Sequence, residues 1–373
     1  MSFRIAATTA AVAAAAATAL SAPAAAAPAG HRPPGVVFVQ TDEVTGNRII
    51  AYARSADGSL HHTADYPTGG LGGVLDGAVV DHLASQGSLT LDRARHLLYA
   101  VNAGSNTVTV FGVHGDRLER LQVIGSGGEF PVSVAVHGDL VYVLNARAGG
   151  SVQGFRRIGT RLVRVPGWHR ALGLDPAATP EFTHTPGQVA FSPDGSQVLV
   201  TTKGNTNAVD VFGVGRSGGL SVQPVHNVEP GAVPFAVAFD AQGHLLVAQA
   251  GTNAVASYDL RPSGSITSIA TVPTGGAASC WIVGADGTFY VSNTGSDTLS
   301  AFRTTSDGGL DALGDTATAA APIDAATSGR FLYVQTGAEG TVDGFRVGSD
   351  GSLQPVGSVT VPGAAGGEGI AAG

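Results

Sequence analysis

One stretch of this chain, PGWHRALGLDPAATPEFTHTPG at residues 166–187, gathers Trp168, His169, Arg170, Asp175, Glu181 and His184. Hydrolysis of an ester or lactone needs a base of near-neutral pKa to activate water, and a donor or cation to hold the oxyanion. His184 or His169 suits the first role, and Arg170 or Lys203 the second, with Glu181 as the accompanying carboxylate. Lys203 is the only lysine in the chain. Two further histidines stand beside carboxylates in other loops, His82 next to Asp81 and His226 near Glu229.

A second set is uncharged. Aligned on the turn sequence SPDG (residues 192–195), Gln188 falls opposite Ser88, Ser133 and Cys280, with Gln86 just ahead of Ser88. Together with Trp168 these are the candidate substrate-binding residues, because Gln and Ser hydrogen-bond a sugar, a lactone or water. The same residues also serve a strand that merely needs small polar side chains in a solvated channel. Cys280, beside Trp281, reads either as a nucleophile paired with a histidine or as a small buried hydrophobe. It is the single cysteine, so no internal disulfide forms. The carboxylates Asp42, Asp81, Glu129, Asp175, Glu181, Glu229 and Asp297 are scattered, and no EF-hand, HExxH or Cys-His cluster occurs. No metal site and no cofactor are expected.

The elements that position these residues repeat. Short apolar strands end in a polar residue at Thr41, Asn102, Asn145, Thr202, Gln249, Asn293 and Thr336, at intervals of roughly 43 to 61 residues. Around residues 188–220 the unit reads as four strands: VAF, the turn SPDG, VLVTT, the loop GNTN, AVDVF, a Gly-rich turn and a last strand. Asp-Gly and Gly-Gly pairs recur at the third turn and supply the positive φ of tight hairpins. The C-terminal GEGIAAG looks like a first strand without successors, and VVFVQT at residues 36–41 like a second strand without a predecessor. Pairing them would close a ring and remove two exposed edges. The expectation is an all-β fold, a seven-bladed β-propeller of four-stranded blades closed by the N-terminal strands plus the C-terminal strand. Its first strands line a central channel. The loops leading into them, including long ones at residues 67–85 and 166–187, crowd one face, here called the top.

The units carrying SPDG, YV-x-N and NTVTVF resemble YVTN-type repeats and, more broadly, the seven-bladed lactonase-like propellers that include the bacterial 6-phosphogluconolactonase group. The resemblance covers nearly all of residues 36–373 and implies the propeller fold. In that group a Gly-Pro-Arg-His segment leads into a first strand, and a Glu follows the Asn that ends the next strand. Here Gly187 stands at the Arg position, Gln188 at the His position and Lys203 at the Glu position. The resemblance therefore implies a distinct, secreted, actinobacterial-type branch, with segments such as LASQGSL (83–89), EFPVSV (129–134) and ASCWIV (278–283) entering its first strands.

With 373 residues, 54 glycines, 19 prolines and 13% charged residues, the chain is too apolar for disorder and too rich in turn formers for a helical protein. A formal charge of −8 offers no attraction to nucleic acid or anionic lipid. Residues 1–29, with Arg4, an Ala-rich apolar run and small residues around Pro28, read as a secretory signal peptide, and 30–35 as a linker. A secreted monomer is expected, with no membrane span and no nucleic-acid partner. Its ligand is expected to be a small lactone or carbohydrate-like molecule. The competing reading is a non-catalytic binding propeller. A converging His-Arg-Glu cluster over the channel favours the enzyme, and a flat, apolar, Gly-rich top favours the binder.

Overall fold

The computed structural model describes residues 1–2 and 35–373. The expected signal peptide, and the linker up to Gly35, lie outside the described residues apart from Met1 and Ser2. Seven four-stranded antiparallel sheets follow one another, in residues 89–125, 131–171, 189–228, 234–273, 279–317 and 322–360, with a seventh shared by the two ends. In that last blade Ile370–Ala372 pairs with Val36–Gln40, which continues through Arg48–Arg54 to Leu60–Pro67. The ring is a seven-bladed β-propeller.

Burial follows strand position. The second strands, such as Leu97–Asn102 and Phe331–Thr336, are buried along their whole length, because they are covered by neighbouring blades on both faces. The outermost strands alternate toward solvent, as in Ile266–Pro273. In five blades the third and fourth strands slip register by one residue at a β-bulge, and in the blade of residues 131–171 by three, which twists the outer edge.

Two sequence signals acquire a physical cause. The polar residues ending the second strands are buried fasteners: Asn293 Nδ2 donates to Thr298 Oγ1 (3.0 Å) and Ser300 Oγ (2.7 Å), and its Oδ1 accepts from Ser279 Oγ (2.6 Å). In four blades an Asn or Asp just before the third strand sits in the left-handed region and joins blade to blade. Asn106, Asn207, Asn253 and Asp297 have φ of 49 to 56°, and their Oδ1 atoms accept the backbone N–H of Phe130, Val233, Ser279 and Ala321 in the next blade. Asn and Asp tolerate that conformation and carry the acceptor, so they recur there. The turn glycines act at the opposite face. Gly351 has φ 89°, and a Cβ there would stand 2.6 Å from Leu313 Cδ1 of the preceding blade. Its carbonyl accepts the Tyr290 hydroxyl at 2.8 Å.

Candidate functional site

A cavity of about 600 Å³ opens at the top of the ring. Phe182, Val233, Phe235, Ala278 and Trp281 belong to its apolar wall, and Asp81, His184, Lys203 and Cys280 supply its chemistry. Lys203 opens the short helix Lys203–Thr206 that follows a second strand, with φ 48°, and is 1% exposed. Its ammonium donates to Ala84 O (2.7 Å), Phe182 O (2.5 Å) and Thr185 Oγ1 (3.1 Å), so all three protons are engaged by the protein. Nζ also lies 5.3 Å from the centre of the Phe235 ring. Burial pulls its pKa down to about 8, opposed by the carboxylates of Asp81 and Glu368. Asp81, 9% exposed, takes a backbone hydrogen bond only from its own N–H and none from another described residue. Burial raises its pKa to about 6 against the pull of the Lys203 charge. The two charges share the cavity without touching as an ion pair, and each favours the ionised form of the other.

His184 ends the one-turn helix Glu181–His184. Its Nδ1 lies 2.9 Å from both Pro180 O and Thr183 Oγ1; the carbonyl only accepts, which favours a proton on Nδ1 and leaves Nε2 as a lone-pair base. Nε2 is near Gly204, where a Cβ would approach it to 3.5 Å, and Gly204 belongs to the cavity wall. His184 also lines a second, polar cavity of about 230 Å³ with Glu129, Arg147, Asp175 and Glu181. There Arg147 grips Glu181 with two bonds, Nε to Oε1 at 2.7 Å and Nη2 to Oε2 at 3.0 Å. That pairing holds the Glu181 carboxyl below its ordinary pKa. Its Oε2 also accepts the Asp76 N–H at 2.7 Å, so Glu181 clamps the helix that carries His184. The Arg147–Glu181 pair therefore stands beside His184 in the second cavity and lines no part of the top cavity, so no His-Arg-Glu cluster forms over the channel among the described residues.

Below, the channel is plugged by residues 84–88. Gln86 crosses it and bonds like a strand to Ile282, Nε2 to Ile282 O at 3.0 Å and Ile282 N to Oε1 at 2.9 Å. Trp281 Nε1 donates to Ser85 O at 2.5 Å, Ser133 Oγ to Gln86 O at 2.6 Å and Ser88 Oγ to Glu368 O at 3.0 Å. Gln188 Oε1 accepts Val237 N at 2.6 Å, tying neighbouring first strands. Gln86, Ser88, Ser133 and Gln188 thus fasten and fill the channel. Glu368, fully buried, accepts from Ser85 N (3.1 Å) and Ser85 Oγ (2.7 Å). Burial, then the neighbouring charges of Asp324 and Asp81, push its pKa well up. Asp324 faces a lower cavity of about 470 Å³. Among the described residues no three His, Cys, Asp or Glu side chains converge as metal ligands.

The segment 166–171 is placed elsewhere than the sequence suggests. It is no loop but the end of the outer strand Arg161–Ala171, on the perimeter of its blade. Trp168 packs over Gly154, whose Cβ would stand 2.8 Å from Trp168 Cβ, and stacks on Tyr142 at 6.3 Å. His169 is exposed opposite Gln153. Arg170 donates to Ser221 O (2.7 Å) and Leu220 O, joining adjacent blades. None of the three reaches the top cavity. His226 lies on the outer strand Val225–Val228 and pairs with Asp210. Cys280 does line the cavity, but burial and the carboxylates around it push its thiol pKa far up, which suits the hydrophobic reading. Arg147, Asp324 and Glu368 were not singled out from sequence. Each carries a signal: Arg147 stands two residues past the strand-ending Asn145, and the other two are lone carboxylates in segments destined for first strands.

Comparison with known proteins is consistent with this architecture. A family model described as "Lactonase, 7-bladed beta-propeller" matches residues 77–365. Among solved structures, a putative 6-phosphogluconolactonase from Bacteroides fragilis is 18% identical, with TM-score 0.73 over 93% of this chain and 99% of that one. A periplasmic gluconolactonase from Pseudomonas aeruginosa is 19% identical, with TM-score 0.70 over 88% and 96%. Virginiamycin B lyase from Staphylococcus aureus lies further off, 13% identical with TM-score 0.52 over 76% and 87%. At these identities the likeness is one of fold. No curated protein matches the chain by sequence.

Proposed function

The chain belongs to the seven-bladed β-propeller lactonase family, and on that premise we propose that it hydrolyses a lactone in the top cavity with His184 as general base. The observation that carries this reading is the His184 ring, its proton favoured on Nδ1 by Pro180 O and its free Nε2 beside the cavity wall. Gluconolactonases among the structural neighbours favour a lactone ring as the substrate.

In the proposed reaction, water loses a proton to His184 Nε2 as its oxygen attacks the lactone carbonyl carbon. The resulting oxyanion is stabilised by the field of the Lys203 ammonium, whose protons stay on their protein acceptors. Collapse breaks the ring C–O bond, and the imidazolium returns its proton to the departing alkoxide, giving the open hydroxy acid. Asp81 keeps Lys203 charged in its buried site. Lys203 in turn positions His184, since two of its bonds hold Phe182 O and Thr185 Oγ1 on either side of it. The leader-like residues 1–29 support an extracellular setting, which N-terminal sequencing of protein from the medium checks: it should begin near residue 30.

The test is a hydrolysis screen of the purified protein over a lactone panel, with His184→Ala alongside. Turnover reduced in the variant by about a hundredfold or more is expected. Absence of turnover throughout favours the binding-module reading, which the apolar cavity wall supports. Turnover untouched by the substitution removes His184 from the role.

A further inference from the structure

We infer that the ligand of the top cavity is an uncharged lactone bearing an apolar substituent of several carbons, rather than a phosphorylated or polyhydroxylated sugar lactone. This rests on the hydrolytic reading above and narrows its substrate. The first ground is how the polar wall groups are used. Thr183 Oγ1 donates to Pro180 O (3.1 Å) and Thr294 Oγ1 to Pro322 O (2.8 Å). Asn207 accepts Val233 N (3.1 Å) and donates toward Gly204 O (3.4 Å). Trp281 Nε1 and all three Lys203 protons are likewise engaged. A ring of sugar hydroxyls would find few free partners here, and a site that reads hydroxyls needs them.

The second ground is charge. Phosphate recognition calls for free cationic or N–H donors aimed at the anion. The one cation on this wall is saturated, and Asp81 presents its carboxylate to the same space. The Lys203 and Asp81 charges on this wall cancel formally, so the site suits a neutral substrate. The third ground is shape. About 600 Å³ bounded by Phe182, Val233, Phe235, Ala250 and Trp281 exceeds what a bare lactone ring fills, and the surplus is apolar. An alkyl chain there, with the ring toward His184, matches both the space and the chemistry.

The experiment separates ligand class from turnover. Calorimetric affinities of non-hydrolysable δ-lactams with no chain, a three-carbon and a five-carbon chain are measured on the wild-type protein. In parallel, kcat/KM is measured for the matching δ-lactones, glucono-δ-lactone and its 6-phosphate. Affinity should rise about threefold to fourfold per methylene, and the alkyl lactones should outrun both sugar lactones. Ala250→Leu, which fills part of the wall, should abolish the gain from the longest chain. Lactam affinity independent of chain length, or tighter binding of the sugar lactones, overturns the proposal. Affinity that climbs with chain length without turnover of any lactone supports the ligand class and removes the hydrolytic reading instead.

Discussion

His184 owes its proposed role to one carbonyl and one lysine: Pro180 O favours the Nδ1–H tautomer and Lys203 pins the turn that carries it. Lys203→Met strips a buried cation from three acceptors and leaves the Asp81 carboxylate without its counter-charge. Leaving a buried acceptor without its donor costs about 1–3 kcal/mol. The variant should therefore lose about 3 kcal/mol in urea unfolding, and Asp81 should then titrate higher than in the wild type. An unchanged midpoint would show that the lysine's contacts carry no weight. At this scale the sequence was partly legible. Residue type and rim position were enough to single out His184, Lys203 and Cys280, all of which line one cavity. They failed for Trp168, His169 and Arg170, because Pro166-Gly167 looks like the start of a loop while the strand runs on to Ala171 beyond a register slip at Gln153. Arg147 was missed because its partner, Glu181, lies 34 residues away and only folding joins them.

Among the elements, strands and turns were legible because each repeats a local requirement. What sequence did not reveal was that the Asn or Asp opening a third strand bonds forward to the next blade. That bond makes the rim a chain of small fasteners, several of them next to residues held at positive φ, such as Val233 at 49°. Asp297→Ala removes the acceptor of Ala321 N–H (2.8 Å) and places a less tolerant residue at φ 56°. A loss of about 1–2 kcal/mol is expected by chemical denaturation, with lactone turnover little changed, since neither Asp297 nor Ala321 lines the top cavity. A change in turnover without a change in stability would contradict the purely architectural role. The channel plug is a second such case. Gln86 and Ser133 read as ligands from their position, yet their bonds to Ile282 and to the plug backbone make them part of the scaffold.

The whole molecule depends on a closing strand that brings carboxylates into the channel. Asp42 accepts Glu368 N at 2.7 Å, and Asp324 lies against Ile370 N at 3.4 Å. Burial lifts the Asp42 and Asp324 pKa values to about 7 and that of Glu368 well above its usual range. These groups hold protons in the folded ring that the unfolded chain releases from about pH 4 upward. Their contribution is therefore fully present below about pH 4 and is lost as pH rises through about 7. Asp81, raised to about 6, acts in the same direction. Lys203, lowered to about 8, acts oppositely, favouring the folded state only as pH rises beyond that value. Urea midpoints should thus fall between pH 5 and pH 7.5, and Asp324→Asn should flatten the slope; a midpoint that rises over this interval would contradict the burial argument. Ring closure itself was legible from the two unmatched terminal strands. The acid lining was not, because a single Glu in a Gly-Ala tail shows its partners only once 280-odd residues of ring have brought them together. Whether this ring carries a hydrolytic site at its top is tested most directly by a pH-stat measurement of alkyl δ-lactone opening by the wild type and by His184→Ala. A fall of about a hundredfold or more at an unchanged unfolding midpoint is predicted, and equal rates for the two proteins would contradict it.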